Sequence, residues 1–181
     1  TRKGIDAFRR VIAPNGERIL LHASNFRKIK RVQDVVEIFN NVHRELPSKL
    51  LFVGDGPERQ TAEELCRKLN VCNDVQFVGK QEQMEDILGI ADVFLLTSEY
   101  ESFGLAALEA MAAGVPVIST NAGGLSEINI NGETGFLAPV GDVETMSKQA
   151  LSILKDDSTL AAFKKRAALH AQQFDIKNIV P

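Results

Sequence analysis

Cysteine and histidine are scarce in this chain, and the few present are not arranged to hold a metal. Among 181 residues there are two cysteines and three histidines. Cys66 and Cys72 stand apart with neither a CxxC pair nor neighbouring histidines, and His22, His43 and His170 are scattered. Structural metal sites show closely spaced Cys or His pairs instead. An Asp-x-Asp pair that could carry a divalent ion is missing as well. The expectation is two reduced packing thiols, no metal and no cofactor. No apolar run approaches the roughly 20 residues that span a bilayer, and the N-terminus lacks the form of a signal peptide, so a soluble cytoplasmic protein is expected. The net charge of −3 leaves no broad basic field, which argues against nucleic acid as a partner. Internal repeats, low-complexity tracts and long linkers are also lacking.

What is present is the pattern of an α/β domain. Hydrophobic residues make up 44% and charged residues 25% of the chain, and its length suits one well-buried domain. Apolar runs of strand length alternate with helix-period segments from end to end. The strands read as 18–23, 49–53, 75–78, 93–96, 115–119 and 134–138. The helices read as 32–45, 58–69, 84–90, 103–113, 125–129, 143–154 and 158–172. Alternation of this kind builds a Rossmann-like, six-stranded parallel sheet with helices on both faces, and right-handed crossovers bring its strand-to-helix loops to one edge. Thr1–Glu17 reads as a short polar lead-in with a turn at Pro14-Asn15-Gly16. Phe174–Pro181 stops just as another apolar segment begins. Both ends look cut, and the expectation is one half of a two-domain protein.

The most informative stretch follows the apolar run Val93-Phe94-Leu95-Leu96 and reaches Pro116. A polar loop carrying Glu99 and Glu101 meets a strong helix former there, which puts it at a strand's C-terminal end, where open α/β sheets bind ligands. The amides of Ser102, Phe103 and Gly104 lie at the positive end of the helix, where an anion such as phosphate is favoured. Glu109 sits about two turns along the same helix. Carboxylates repel phosphate but accept hydrogen bonds from hydroxyls, so an anion site flanked by two carboxylates suits a sugar nucleotide. After the first strand, Arg27, Lys28, Lys30 and Arg31 crowd one loop. Arg27 and Lys30 would neutralise a diphosphate and the charge that develops as it leaves. Gly54-Asp55-Gly56-Pro57 ends the second strand as a tight turn into a helix. It is not a dinucleotide-binding Gly-x-Gly-x-x-Gly, because Arg59 stands at the last position. No hydroxyl or thiol is paired with a base as a nucleophile would be. Ser98, Glu99 and Glu127 have no settled role.

The string E-S-F-G-L-x-x-L-E-A-M-A-x-G-x-P-V-I from Glu101, followed by Gly123-Gly124-Leu125-Ser126-Glu127 and 131–137, resembles the retaining GT-B glycosyltransferases of family 4, with their E-x7-E motif at Glu101 and Glu109. That resemblance covers nearly the whole chain. It implies the C-terminal, nucleotide-sugar-binding half (1–181) of a two-domain GT-B enzyme, with the acceptor held mainly by the other domain. Glu101 would hold the donor sugar's hydroxyls and Glu109 the ribose hydroxyls. Backbone amides of Phe103, Gly104 and Leu105 would take the diphosphate, Gly54 the nucleotide pocket, and Gly79 and Lys80 the nucleobase. Many members carry Gly-Arg-Leu-x-x-x-Lys after the first strand. Lys30 matches its lysine, while Asn25 stands at the arginine's place and Arg27 is expected to substitute.

The segment His22–Val36 and Gly79-Lys80-Gln81 resemble a narrower group within that family. That likeness implies UDP-N-acetylglucosamine as donor, L-malate as acceptor and a role in bacillithiol biosynthesis. A hexosyltransferase of cell-surface polysaccharide or glycolipid assembly is the alternative among transferases. A non-catalytic nucleotide-sugar-binding module, which would not need Glu101, is the alternative from another class. The isolated domain should transfer nothing. A homo-oligomer is left open.

Overall fold

Strand formation follows the apolar runs closely. The computed structural model describes residues 2–174 and contains β1 (Arg18–Ala23), β2 (Ser48–Val53), β3 (Val75–Phe77), β4 (Val93–Leu96), β5 (Val117–Thr120) and β6 (Gly135–Ala138). All six pair in parallel in the order β3-β2-β1-β4-β5-β6. The order reverses between β1 and β4, which makes their C-terminal ends the natural ligand crevice. Every residue of β4 and β5 is buried, as expected of parallel strands covered on both faces.

The covering helices are α1 (Arg2–Ile12), α2 (Val32–His43), α3 (Arg59–Leu69), α4 (Met84–Leu88), α5 (Leu105–Ala112), α6 (Leu125–Ile128), α7 (Val143–Leu154) and α8 (Asp157–Ala171). They divide the core in two. One face packs Val35, Ile38 and Phe39 of α2 with Met146 and Leu151 of α7 against Leu20, Phe52 and Leu95. The other packs Ile87, Leu108 and Met111 with α8 against Leu21, Phe94 and Val117. Burying each such side chain contributes about 1.5–3 kcal/mol. The expected Rossmann-like architecture is therefore present, with element ends shifted by at most two residues.

One expectation fails. The simple polar lead-in expected over Thr1–Glu17 is not what forms, because Arg2–Ile12 is helical. Its sequence, RKGIDAFRRVI, is strongly charged and carries Gly4, so local propensity is poor. Tertiary contacts supply what propensity lacks: Ile5, Phe8 and Ile12 join the second core, and Arg9 donates to the Ile90 carbonyl at 2.6 Å and to Asp92 at 2.7 Å. Asp92 also accepts from Lys164 of α8 at 3.0 Å and from the Ile19 amide at 2.9 Å. Burial alone would raise the Asp92 carboxyl's pKa, but Lys164, Arg9 and the amide outweigh it and hold it below the ordinary value. One buried carboxylate thus ties α1 and α8 to the sheet. The turn at 14–16 is present. The apolar segment expected after Phe174 lies outside the described residues.

Candidate nucleotide-sugar site

Three strand-to-helix loops meet at the C-terminal edge of β1, β4 and β5. The β1–α2 loop turns at Phe26, which is fully buried although its φ of 50° lies in the left-handed region. Its ring meets Phe52 edge-on at 5.6 Å, and Arg27 and Lys28 after it are exposed. Under it lies His22, also fully buried. Its Nδ1 is 2.8 Å from the Leu95 carbonyl, which can only accept, so Nδ1 carries the proton. Nε2 then accepts from the Ser24 hydroxyl at 2.8 Å, and Ser24 Oγ receives the Phe26 amide at 3.1 Å. Burial pushes the His22 pKa down to about 4, with the nearby Lys30 adding to the effect against opposing contributions from the Leu95 carbonyl and Glu101. A neutral imidazole therefore pins the start of this loop.

The β1–α2 and β4–α5 loops are sewn together. Thr97 Oγ1 lies 2.7 Å from the Lys30 carbonyl and 3.0 Å from that of Arg31. The Glu99 amide donates to the Ile29 carbonyl at 2.9 Å. Arg31 pairs with Asp34 at 2.7 Å and Glu99 at 3.3 Å, and the Asp34 hydrogen bond leads in raising its pKa. Lys30 Nζ reaches Glu101 Oε1 at 2.8 Å. The β5–α6 loop joins from the other side: the Gly124 amide donates to the Glu101 carbonyl at 2.9 Å. A Cβ on Gly123 would stand 1.9 Å from that carbonyl oxygen, so glycine is needed for the close approach.

Beyond Glu101, Gly104 takes the N-cap position of α5 with φ 66°. The amides of Ser102, Phe103, Gly104 and Leu105 donate no hydrogen bond among the described residues. The expected cluster of free donors at a helix N-terminus is present, and the Phe103 side chain beside it is 48% exposed. Next to it a cleft of about 430 Å³ is lined by Ala23, Ser24, Gly54, Lys80, Ala106 and Glu109, with Met84 and Leu88 forming an apolar wall. Gly54 is required here too, since a Cβ would lie 1.8 Å from the Ser24 carbonyl oxygen. The structure thus separates the two motif glutamates. Glu109 lines the cleft, whereas Glu101 lies outside it on the loop bound to Lys30. A cleft with an apolar wall and a carboxylate, a row of unbonded amides, and a second carboxylate beside a lysine offer contacts that the parts of a sugar nucleotide would need.

Several expected site residues do not line the cleft. Gly79 does not line the cleft; its carbonyl accepts the Gly54 amide at 2.8 Å, so it shapes the wall through the backbone. Asn25 is exposed and its Oδ1 accepts the Arg27 amide at 3.4 Å, closing its own turn. The Arg27 guanidinium is exposed and has no polar partner among the described residues. Met84 and Leu88 were not visible as site residues in the sequence, because an apolar pair on a short helix reads as core. Ser98 is another residue the sequence left without a role. It is fully buried, and its hydroxyl donates to Glu101 at 2.8 Å. No group of three His, Cys, Asp or Glu that could hold a metal occurs among the described residues. None of their helices is long and apolar enough to cross a membrane.

Comparison with known proteins gives the family. The chain is 47% identical over 165 residues to N-acetyl-alpha-D-glucosaminyl L-malate synthase of Bacillus anthracis, covering 91% of this chain and 43% of that protein. It is 36% identical to glycogen synthase of Mycobacterium tuberculosis, covering 92% of this chain and 42% of the relative. The chain thus spans less than half the length of these relatives. Among solved structures, Anabaena Alr3699/HepE in complex with UDP and glucose superposes with a TM-score of 0.88 at 24% identity, over 99% of this chain and 50% of that one. At that identity the likeness concerns the fold, and it is the fold of GT-B glycosyltransferases. The family model described as glycosyl transferases group 1 matches residues 5–170, and the chain belongs to that glycosyltransferase family.

Proposed function

We propose that this chain is the C-terminal, donor-binding domain of a two-domain retaining glycosyltransferase that moves N-acetylglucosamine from UDP-N-acetylglucosamine to L-malate in the cytoplasm. The observation that carries the reading is the placement of the two glutamates on either side of a row of unbonded amides: Glu109 inside the cleft and Glu101 outside it against Lys30. In this arrangement the nucleoside enters the cleft with its ribose on Glu109. The diphosphate lies across the amides of Phe103, Gly104 and Leu105 at the positive end of α5. Lys30, with Arg27 free to swing in, carries the charge that grows on the leaving diphosphate. Glu101 accepts from the donor sugar. The departing diphosphate takes the acceptor's proton on the face from which it leaves, so the protein supplies positioning and electrostatics and needs no nucleophile of its own. The choice of N-acetylglucosamine and malate rests on the likeness to the Bacillus anthracis enzyme. The relatives also include glycogen synthases, so other acceptors belong in the test.

The deciding experiment gives full-length protein UDP-N-acetylglucosamine and a panel of acceptors that includes L-malate and a glucan, with and without EDTA. The expected result is UDP release dependent on malate, an α-linked product by NMR, and a rate unchanged by chelation. Transfer only to a glucan would overturn the acceptor. A rate abolished by EDTA and restored by magnesium or manganese would overturn the metal-free mechanism.

A further inference from the structure

Ser98 stands in the β4–α5 loop just past the end of β4, where the sheet opens into the site, and it is completely buried. A buried hydroxyl needs a partner, and this one donates to Glu101 Oε1 at 2.8 Å. Lys30 Nζ converges on the same oxygen at 2.8 Å. Glu101 Oε2 has no hydrogen-bond partner among the described residues. The backbone of Ser98 is itself held, because its carbonyl accepts the hydroxyl of buried Thr120 on the neighbouring strand at 2.7 Å.

The two donors differ in kind. A lysine ammonium rides on a flexible stem and has three protons to share. Once a diphosphate lies beside it, Lys30 has a second anion to serve. The terminal torsion of a glutamate is soft, so a carboxylate held by Lys30 alone could turn as the lysine moves. The Ser98 hydroxyl stands on a buried backbone tied to β5 through Thr120. We propose that Ser98 is a positioning residue for Glu101: it holds Oε1 in place while Lys30 attends to the diphosphate, so that Oε2 stays presented to a hydroxyl of the donor sugar. This rests on the reading of Glu101 as the donor-sugar acceptor.

The test is a double-mutant cycle in full-length enzyme, with kcat and the UDP dissociation constant measured for Ser98→Ala, Glu101→Gln and the pair. Ser98→Ala should lower kcat about tenfold, the scale of one lost hydrogen bond to a charged group, and leave UDP affinity within about twofold. In the Glu101→Gln background the same change should cost less than about twofold, because coupled residues are not additive. Parallel losses of kcat and UDP affinity in Ser98→Ala would show a merely structural role and overturn the proposal. So would a full tenfold cost that persists without Glu101. If Glu101→Gln alone retains the wild-type kcat, the reading of Glu101 fails and the proposal falls with it; if Glu101→Gln is impaired and the cycle is additive, the proposal alone fails.

Discussion

Glu101→Gln in the full-length enzyme is expected to lower kcat by about a hundredfold or more, the scale of removing one preorganised electrostatic contact to the transition state, while UDP affinity changes little. The donor sugar gains positive charge at its anomeric carbon as the bond to the diphosphate breaks, and a carboxylate that grips the sugar binds that state more tightly than the ground state. Glutamine keeps the shape and one acceptor but loses the charge, and it also leaves Lys30 without its ion-pair partner at 2.8 Å. Glu109→Gln should behave in the opposite way. Glu109 lines the cleft and Glu101 does not, so its loss should weaken UDP by about tenfold to a hundredfold, as expected for hydrogen bonds to a charged acceptor, and spare kcat at saturating donor. Calorimetry with UDP and steady-state kinetics on both variants check the assignment. A Glu101→Gln enzyme with near-normal turnover and poor UDP binding would reverse the two roles.

Most of the architecture was legible because a parallel sheet covered on both sides leaves a plain record. Val93-Phe94-Leu95-Leu96 is apolar at every position since both faces of β4 are buried. α2 repeats Val32, Val35, Val36, Phe39 and Val42 because only one stripe faces the sheet. The helix at 2–12 was hidden because its contacts are tertiary: Arg9 reaches Ile90 and Asp92, more than 80 residues away in the chain, and no local pattern announces such a bond. The candidate site was legible where it is built from side chains in a motif: the fold pairs Lys30 with Glu101 and puts Glu109 in the cleft wall. Backbone-made parts were legible only as glycines. Gly54 and Gly123 mark places where two main chains nearly touch, yet the sequence does not say which carbonyl lies opposite. Ser98 and His22 were missed for a related reason. A serine after a strand and a lone histidine are common, and what distinguishes these two is the hydrogen-bond partner the fold gives each: the Glu101 carboxylate for Ser98 and the Leu95 carbonyl of β4 for His22.

His22 supplies a prediction that is independent of the ligand. In the folded chain its pKa is pushed down to about 4 from an ordinary 6.5, so between those values the unfolded chain binds a proton that the folded one refuses. Stability therefore rises with pH across that window. It is fully present above about pH 6.5, falls as the pH drops toward 4, and changes no further from this source below that. At about 1.4 kcal/mol per pKa unit, the whole descent is on the order of 3 kcal/mol. The carboxylates act in a different range. Asp92, Asp74 and Glu17 are all held below their ordinary values, so their contributions are present above those values and are lost only as the pH falls below them. Urea unfolding of wild type and His22→Gln, measured from about pH 7.5 to about pH 4.5, isolates the imidazole. Glutamine can still donate to the Leu95 carbonyl but cannot titrate, so the variant is expected to be less stable at neutral pH and to lose much less on acidification. Equal slopes for the two proteins would mean that the imidazole is not held neutral in the fold, and the hydrogen-bond chain from Leu95 through His22 and Ser24 to Phe26 would have to be redrawn with both ring nitrogens as donors.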